Sequence, residues 1–167
     1  MISSMPALSR ETTLEGHTFN LGDHSAHCLV GAAATGGAFS MFEVTAEPGG
    51  GTPPHSHQIE DETFYVLEGA LAVIQDENVE ILTAGQCTLA RRGKVHAWKS
   101  VGETTARAIL TVSPGGFETF FYELETIFSR YADEISGSKV PGLELITRIN
   151  ALMKLFGMTP SLTEPIK

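Results

Sequence analysis

Between residues 17 and 113 the chain is a succession of short apolar or alternating runs, FSMFEVTA, TFYVLEG, ALAVIQ, VEILTAG, CTLARRG, HAWKSV and ARAILTVS, most of them parted by glycine-bearing turns. A helix needs a longer stretch of 3.6-residue periodicity to bury one face, whereas strands of this length bury alternate residues. Repeated short strands with turn signals predict an antiparallel sandwich or barrel. The acidic and amide residues of DEN, between ALAVIQ and VEILTAG, tolerate the tight turn of a hairpin.

After Ser113 the period changes. Pro114, Gly115 and Gly116 break the strand pattern, and FETFFYELETIFSRYADEI places Phe117, Phe120, Phe121, Leu124, Ile127, Phe128 and Tyr131 on one face of a predicted helix. Beyond the polar break SGSKVPG, LELITRINALMKLFGM repeats the pattern with Ile146, Ile149, Leu152, Met153 and Phe156. Both stripes are expected to cover the outside of the sheet or to face a partner chain. The length of 167 residues suits one domain, with a barrel core over about 17–113 and helices over about 117–157. Residues 1–30 carry no readable signal.

Charge and composition narrow the partners. A formal net charge of −9 opposes the counterion release that drives nucleic-acid binding. No run of about eighteen apolar residues is long enough to span a bilayer, and the opening MISSMPALSRETTLEG lacks an apolar segment, so the expected location is cytoplasmic, away from membranes. Cys28 and Cys87, far apart and without a CxxC pattern, are expected to be inert buried thiols.

The chemistry gathers in GGGTPPHSHQIEDETFYVLEG, residues 49–69. On a strand, residues two apart share a face with Cα atoms about 6.5 to 7 Å apart, so His55 and His57 can converge on one ion. Glu62 shares parity with Phe64 and Val66, which makes it the inward carboxylate, and His96 in RRGKVHAW offers a third nitrogen. Glu60 and Asp61 are expected at the surface or just behind the ligands. His17, His24 and His27 have no compatible spacing to an acid and are expected at the surface or an interface. Arg91, Arg92, Lys94 and Lys99 are expected to be solvated. Three imidazoles and one carboxylate, with no thiolate, suit a divalent transition metal (Fe, Mn, Ni, Co, Cu or Zn) with open coordination positions.

These residues resemble the first motif of the cupin family: Gly49, five residues, His55, one, His57, four, Glu62, six, Gly69. Gly85, Gly93 and His96 fall where the second cupin motif has them, whereas Arg91 stands for its proline and Ser100 for its asparagine. The chain is thereby identified as resembling small single-domain cupins, and SPGGFETFFYELE is similar to the helical tail of quercetin-dioxygenase-like members. The resemblance implies a mainly β fold, an antiparallel double-stranded β-helix (jelly-roll barrel) of six to eight strands with a C-terminal helical extension. It implies one divalent metal on His55, His57, Glu62 and His96, and assembly as a homodimer. The implied activity is that of a quercetinase-like dioxygenase acting on a small aromatic or enol-bearing substrate, with Glu62 as both ligand and catalytic proton acceptor. A non-oxidative metal-dependent isomerase or lyase, or a stand-alone ligand-binding cupin, would use the same residues. Phe42, Phe64, Val66, Ile74 and Trp98 are expected to line the substrate pocket.

Overall fold

The computed structural model describes residues 14–132 and 142–161. The first thirteen residues of the opening segment, and most of the SGSKVPG break, lie outside them. Strands β1 (Thr18–Asn20), β2 (His24–Val30), β3 (Ser40–Ala46), β10 (Ala106–Ser113), β5 (Asp61–Glu68) and β8 (Cys87–Ala90) form one sheet in that spatial order. A second sheet runs β11 (Met158–Pro160), β4 (Gly51–His57), β9 (His96–Ser100), β6 (Ala70–Gln75) and β7 (Asn78–Thr83). Every pairing is antiparallel, and the two layers make a double-stranded β-helix with helices behind it.

Alternation decides the faces. On β3 the buried residues are Ser40, Phe42, Val44 and Ala46; on β10 they are Ala106, Ala108, Leu110 and Val112; on β5 they are Glu62, Phe64 and Val66. The registers Phe42↔Leu110 and Leu110↔Phe64 stack these inward sets across three neighbouring strands. Burying each large apolar side chain stabilises the barrel by roughly 1.5–3 kcal/mol. The DEN turn is a tight hairpin: Gln75 pairs with Asn78, and Asp76 adopts the left-handed φ of 52° that acidic and amide residues accept.

Glycines 50 and 51 set how closely the layers approach. A Cβ on Gly51 would lie 2.1 Å from the Trp98 carbonyl oxygen, and one on Gly50 would lie 2.4 Å from that of Asp23. Only bare backbone lets β4 press against β9 on one side and against the β1–β2 turn on the other.

Three features depart from the sequence reading. The segment before residue 31 builds β1 and β2, and the chain end returns as β11 beside β4, pairing Met158 with His57 and Pro160 with His55. β1 and β11 are edge strands of three residues each, too short for alternation to be read locally, and β2, between β1 and β3, is mostly small or polar in sequence. Cys28 is buried, but Cys87 is exposed, because β8 is an outer strand whose alternate residues face solvent. Among the described residues no helix is long and apolar enough to cross a membrane.

The short α1 (Ala32–Thr35) precedes β3, and among the described residues two longer helices follow the barrel, α2 (Phe117–Arg130) and α3 (Leu143–Leu155). On α3 the buried stripe is Leu145, Leu152 and Met153, while Ile146, expected inward, is 39% exposed. The rest of the expected stripe is inward, with Leu152, Met153 and Phe156 buried and Ile149 packed against the core, so only Ile146 gives up its place, to Leu145. Helix α2 is clamped at both ends. Near its start, Glu118 accepts hydrogen bonds from the Ala32 N–H and the Ser40 hydroxyl. Two turns later, Glu125 accepts the Asn20 N–H and engages the His17 ring, each at 2.8 Å. Between the clamps the Phe121 ring packs edge-on against Phe42 at 5.0 Å.

Burial alone would raise the Glu125 pKa, but the Asn20 N–H and the His17 ring outweigh it and hold the carboxyl below its ordinary 4.5. The stability it contributes is therefore present above pH 4.5 and is lost as the pH falls through the lower folded value. Glu125→Gln is expected to lower the melting temperature at pH 7 by about 2–4 °C, as for a loss of about 1 kcal/mol. Melting curves run across the acid range should show the gap between variant and wild type closing below pH 4.5.

Candidate metal centre and its cavity

The two sheets meet at the histidine stretch. His55 and His57 extend from β4 and His96 from the neighbouring β9, where His55 and His96 are direct cross-strand partners. Glu62 comes from β5 in the opposite sheet. All four are buried, and one ligand-type atom from each lies within 4.8 Å of the others. His55 Nε2 is 3.1 Å from His57 Nε2, His96 Nε2 is 3.2 Å from Glu62 Oε2, and His57 Nε2 is 3.5 Å from Glu62 Oε1.

The outer nitrogens explain the inward ones. His55 Nδ1 faces the Pro53 carbonyl at 2.8 Å, His96 Nδ1 the Lys94 carbonyl at 3.2 Å, and His57 Nδ1 the Glu60 carboxylate at 3.3 Å. An acceptor at each Nδ1 places the proton there and turns the Nε2 lone pair toward the centre. Three lone pairs and a carboxylate then share one small volume, an arrangement that a cation satisfies and that a purely hydrogen-bonded core does not. Burial, opposed by the Glu62 charge, pushes the His55 pKa down to about 4, which keeps the ring neutral and ready to ligate. Burial would raise Glu62, but the His96 hydrogen bond and the surrounding histidines bring it down to about 2, so it is a carboxylate throughout the neutral range. The donor set thus fits a divalent transition metal.

Above this centre opens a cavity of about 560 Å³, walled by the barrel on one side and by α2 and α3 on the other. His55 and Glu62 form its polar floor. Val44, Trp98 and Leu110 line it from the strands; Phe117, Phe120, Phe121, Leu145 and Met153 line it from the helices. Among the described residues that line it there is no lysine or arginine. The helical stripes, expected on the outside of the sheet, therefore close the mouth of the site, and the Phe117 ring stands 5.2 Å from the His57 ring.

The other expected lining residues sit elsewhere. Trp98 lines the cavity, but Phe42, Phe64 and Val66 are fully buried packing residues beneath it. Strand parity reports which face is inward and says nothing about depth along the barrel. Ile74 lines a smaller cavity of about 270 Å³ that shares Trp98. Glu60 stands behind His57, while Asp61 is spent on a two-point salt bridge to Arg92. His24, expected at the surface, has a side chain only 9% exposed and lines the cavity beside Asp23 and Thr52. No local spacing marked these three, because they come from a turn and a strand end brought together by the Gly50–Gly51 approach.

Residues 42–112 match the family model of the Cupin domain. A stretch of 75 residues, 42% of this chain, is 39% identical to germin-like protein subfamily T member 2 of Arabidopsis thaliana, covering 34% of that protein. Germin-like protein 1-1 of Oryza sativa subsp. japonica is 37% identical over the same length, covering 35% of it, so the chain spans about a third of the length of these curated relatives. Among solved structures, a predicted oxalate decarboxylase from Thermotoga maritima superposes with a TM-score of 0.54 at 17% identity, covering 65% of this chain and 99% of that one. KdgF from Halomonas sp. superposes with a TM-score of 0.52 at 20% identity, covering 58% and 84%. These two likenesses are of fold.

Removing the acceptor behind His57 tests the ligand geometry. Glu60→Ala is expected to weaken metal binding roughly ten- to a hundredfold in a chelator-competition titration, with little change in the melting temperature of the metal-free protein.

Proposed function

We propose, from the match of residues 42–112 to the Cupin domain model and the cavity above the candidate metal centre, a metal-dependent oxidoreductase of the dioxygenase type, acting on a planar, largely apolar molecule that bears an enol or phenolic hydroxyl. The observation that carries this reading is the apolar, aromatic-rich cavity of about 560 Å³ set directly on the His55–Glu62 floor. Apart from the metal itself, a small dicarboxylate would meet the Glu62 and Asp23 carboxylates and no lysine or arginine among the described lining residues, which favours an apolar substrate over such an acid.

His55, His57, Glu62 and His96 would hold the metal, which when bound supplies Lewis acidity toward a substrate hydroxyl and, if redox active, an electron route between substrate and dioxygen. The protein's own part is positioning and proton transfer. Phe117, Phe121 and Trp98 present flat apolar surface to a planar ring system and keep bulk water from the floor. Glu62 accepts the proton of the substrate hydroxyl. Set on the cavity floor among the three histidines, Glu62 would be the carboxylate nearest to that hydroxyl.

Elemental analysis and oxygen consumption test the reading together. Wild-type protein is expected to carry near-stoichiometric transition metal and to take up oxygen with flavonols or small enols. His55→Ala should lose the metal, and Glu62→Gln at matched metal content should lower kcat by about 10²-fold or more. Metal without oxygen uptake would replace this reading with a non-oxidative isomerase or lyase, or with a ligand-binding protein.

A further inference from the structure

Resting on that reading of the cavity, we infer that His24, oriented by Asp23, is a substrate-positioning residue that engages a second hydroxyl of the substrate, away from the one at the metal floor. His24 opens β2 and pairs with Ala46 of β3, so its backbone is fixed in the sheet. Its Nδ1 lies 2.8 Å from Asp23 Oδ1. Asp23 is itself tied down: its carbonyl accepts the Glu47 N–H at 3.3 Å, and Oδ1 also receives the Gly51 N–H at 3.4 Å. The imidazole stands edge-on to Trp98, with ring centroids 5.1 Å apart, and both rings line the cavity.

An Nδ1–H given to Asp23 leaves Nε2 as an acceptor, and that atom has no hydrogen-bond partner among the described residues. A side chain that is only 9% exposed, held by a carboxylate and open at its second nitrogen, is a polar group placed in an apolar wall. A second observation points the same way. Thr52 lines the same cavity, and its hydroxyl, buried just behind the wall, has no partner among the described residues. Buried polar atoms are almost always satisfied, and leaving one unmade costs about 1–3 kcal/mol. An accepting nitrogen on one side of an otherwise apolar chamber fits a ligand that brings a hydroxyl group to that wall. The ligand class is a polyhydroxylated planar aromatic, gripped at the floor by one oxygen and at the His24 wall by another.

The test uses metal-loaded protein and two probes that share the metal-facing hydroxyl and carbonyl: quercetin, which carries peripheral hydroxyls, and 3-hydroxyflavone, which lacks them. Dissociation constants are measured by calorimetric titration without oxygen, and oxygen uptake is followed separately. Wild type is expected to bind quercetin about tenfold more tightly than 3-hydroxyflavone, the worth of roughly one good hydrogen bond. His24→Phe should erase that preference while leaving the affinity for 3-hydroxyflavone within about twofold, and His24→Gln, whose amide still accepts, should recover part of it. Equal loss for both probes without recovery in His24→Gln, an unchanged preference in His24→Phe, or a wild type that binds neither flavonol would each overturn the inference. A His24-dependent preference without oxygen uptake supports the positioning role and overturns the oxygenase reading alone; uptake with the preference intact in His24→Phe does the reverse.

Discussion

Everything distinctive in this molecule depends on holding three imidazole lone pairs and a carboxylate in one buried volume. Such a cluster is costly in an apolar interior unless its orientation is fixed and its charge is balanced. The barrel supplies the orientation from outside: two backbone carbonyls and the Glu60 carboxylate fix the outer nitrogen of each ring. It supplies the balance by drawing His55, His57 and His96 from one sheet and Glu62 from the other, so the centre also joins the two layers.

The second constraint is the way the barrel mouth is closed. A jelly roll with three histidines near its open end would leave them in water, where a bound substrate could not be desolvated. Here Phe117, Phe120 and Phe121 of α2 and Leu145 and Met153 of α3 make a roof, and β11 ties the returning chain to the strand that carries His55 and His57. The clamps at Glu118 and Glu125 keep α2 in place over β1 and β3. Ligand centre and apolar chamber are therefore one construction, the floor from strands and the roof from helices, and the chemistry proposed for the site draws on both.

Much of the architecture was legible because strand alternation and helix periodicity are local. The runs from FSMFEVTA to ARAILTVS correspond to β3 and β5–β10, and the aromatic stripe of FETFFYELETIF corresponds to α2. The ligand-type cluster was legible for the same reason: His55 and His57 lie two apart on one strand, and Glu62 follows the parity of Phe64 and Val66. Parity misled where depth mattered, since Phe64 and Val66 face inward yet lie beneath the cavity. The short edge strands β1 and β11, the β2 strand between β1 and β3, and the inward place of Leu145 on α3 were not readable, because docking against distant residues decides them.

By itself, then, the sequence determined a β barrel with a two-helix tail and named the four residues that now stand within 4.8 Å of one another. Their spacing is written in the period of a strand, which needs no tertiary information. Only the folded structure decided that the tail roofs the centre, that Glu60 stands behind His57, and that Asp23, His24 and Thr52 form a polar wall within an apolar chamber. Those relations join segments far apart in the chain through close backbone approach, above all at Gly50 and Gly51, where a Cβ would meet a neighbouring carbonyl oxygen at 2.4 and 2.1 Å. Contacts of that kind have no local period, so they exist only once the sheets have closed on each other.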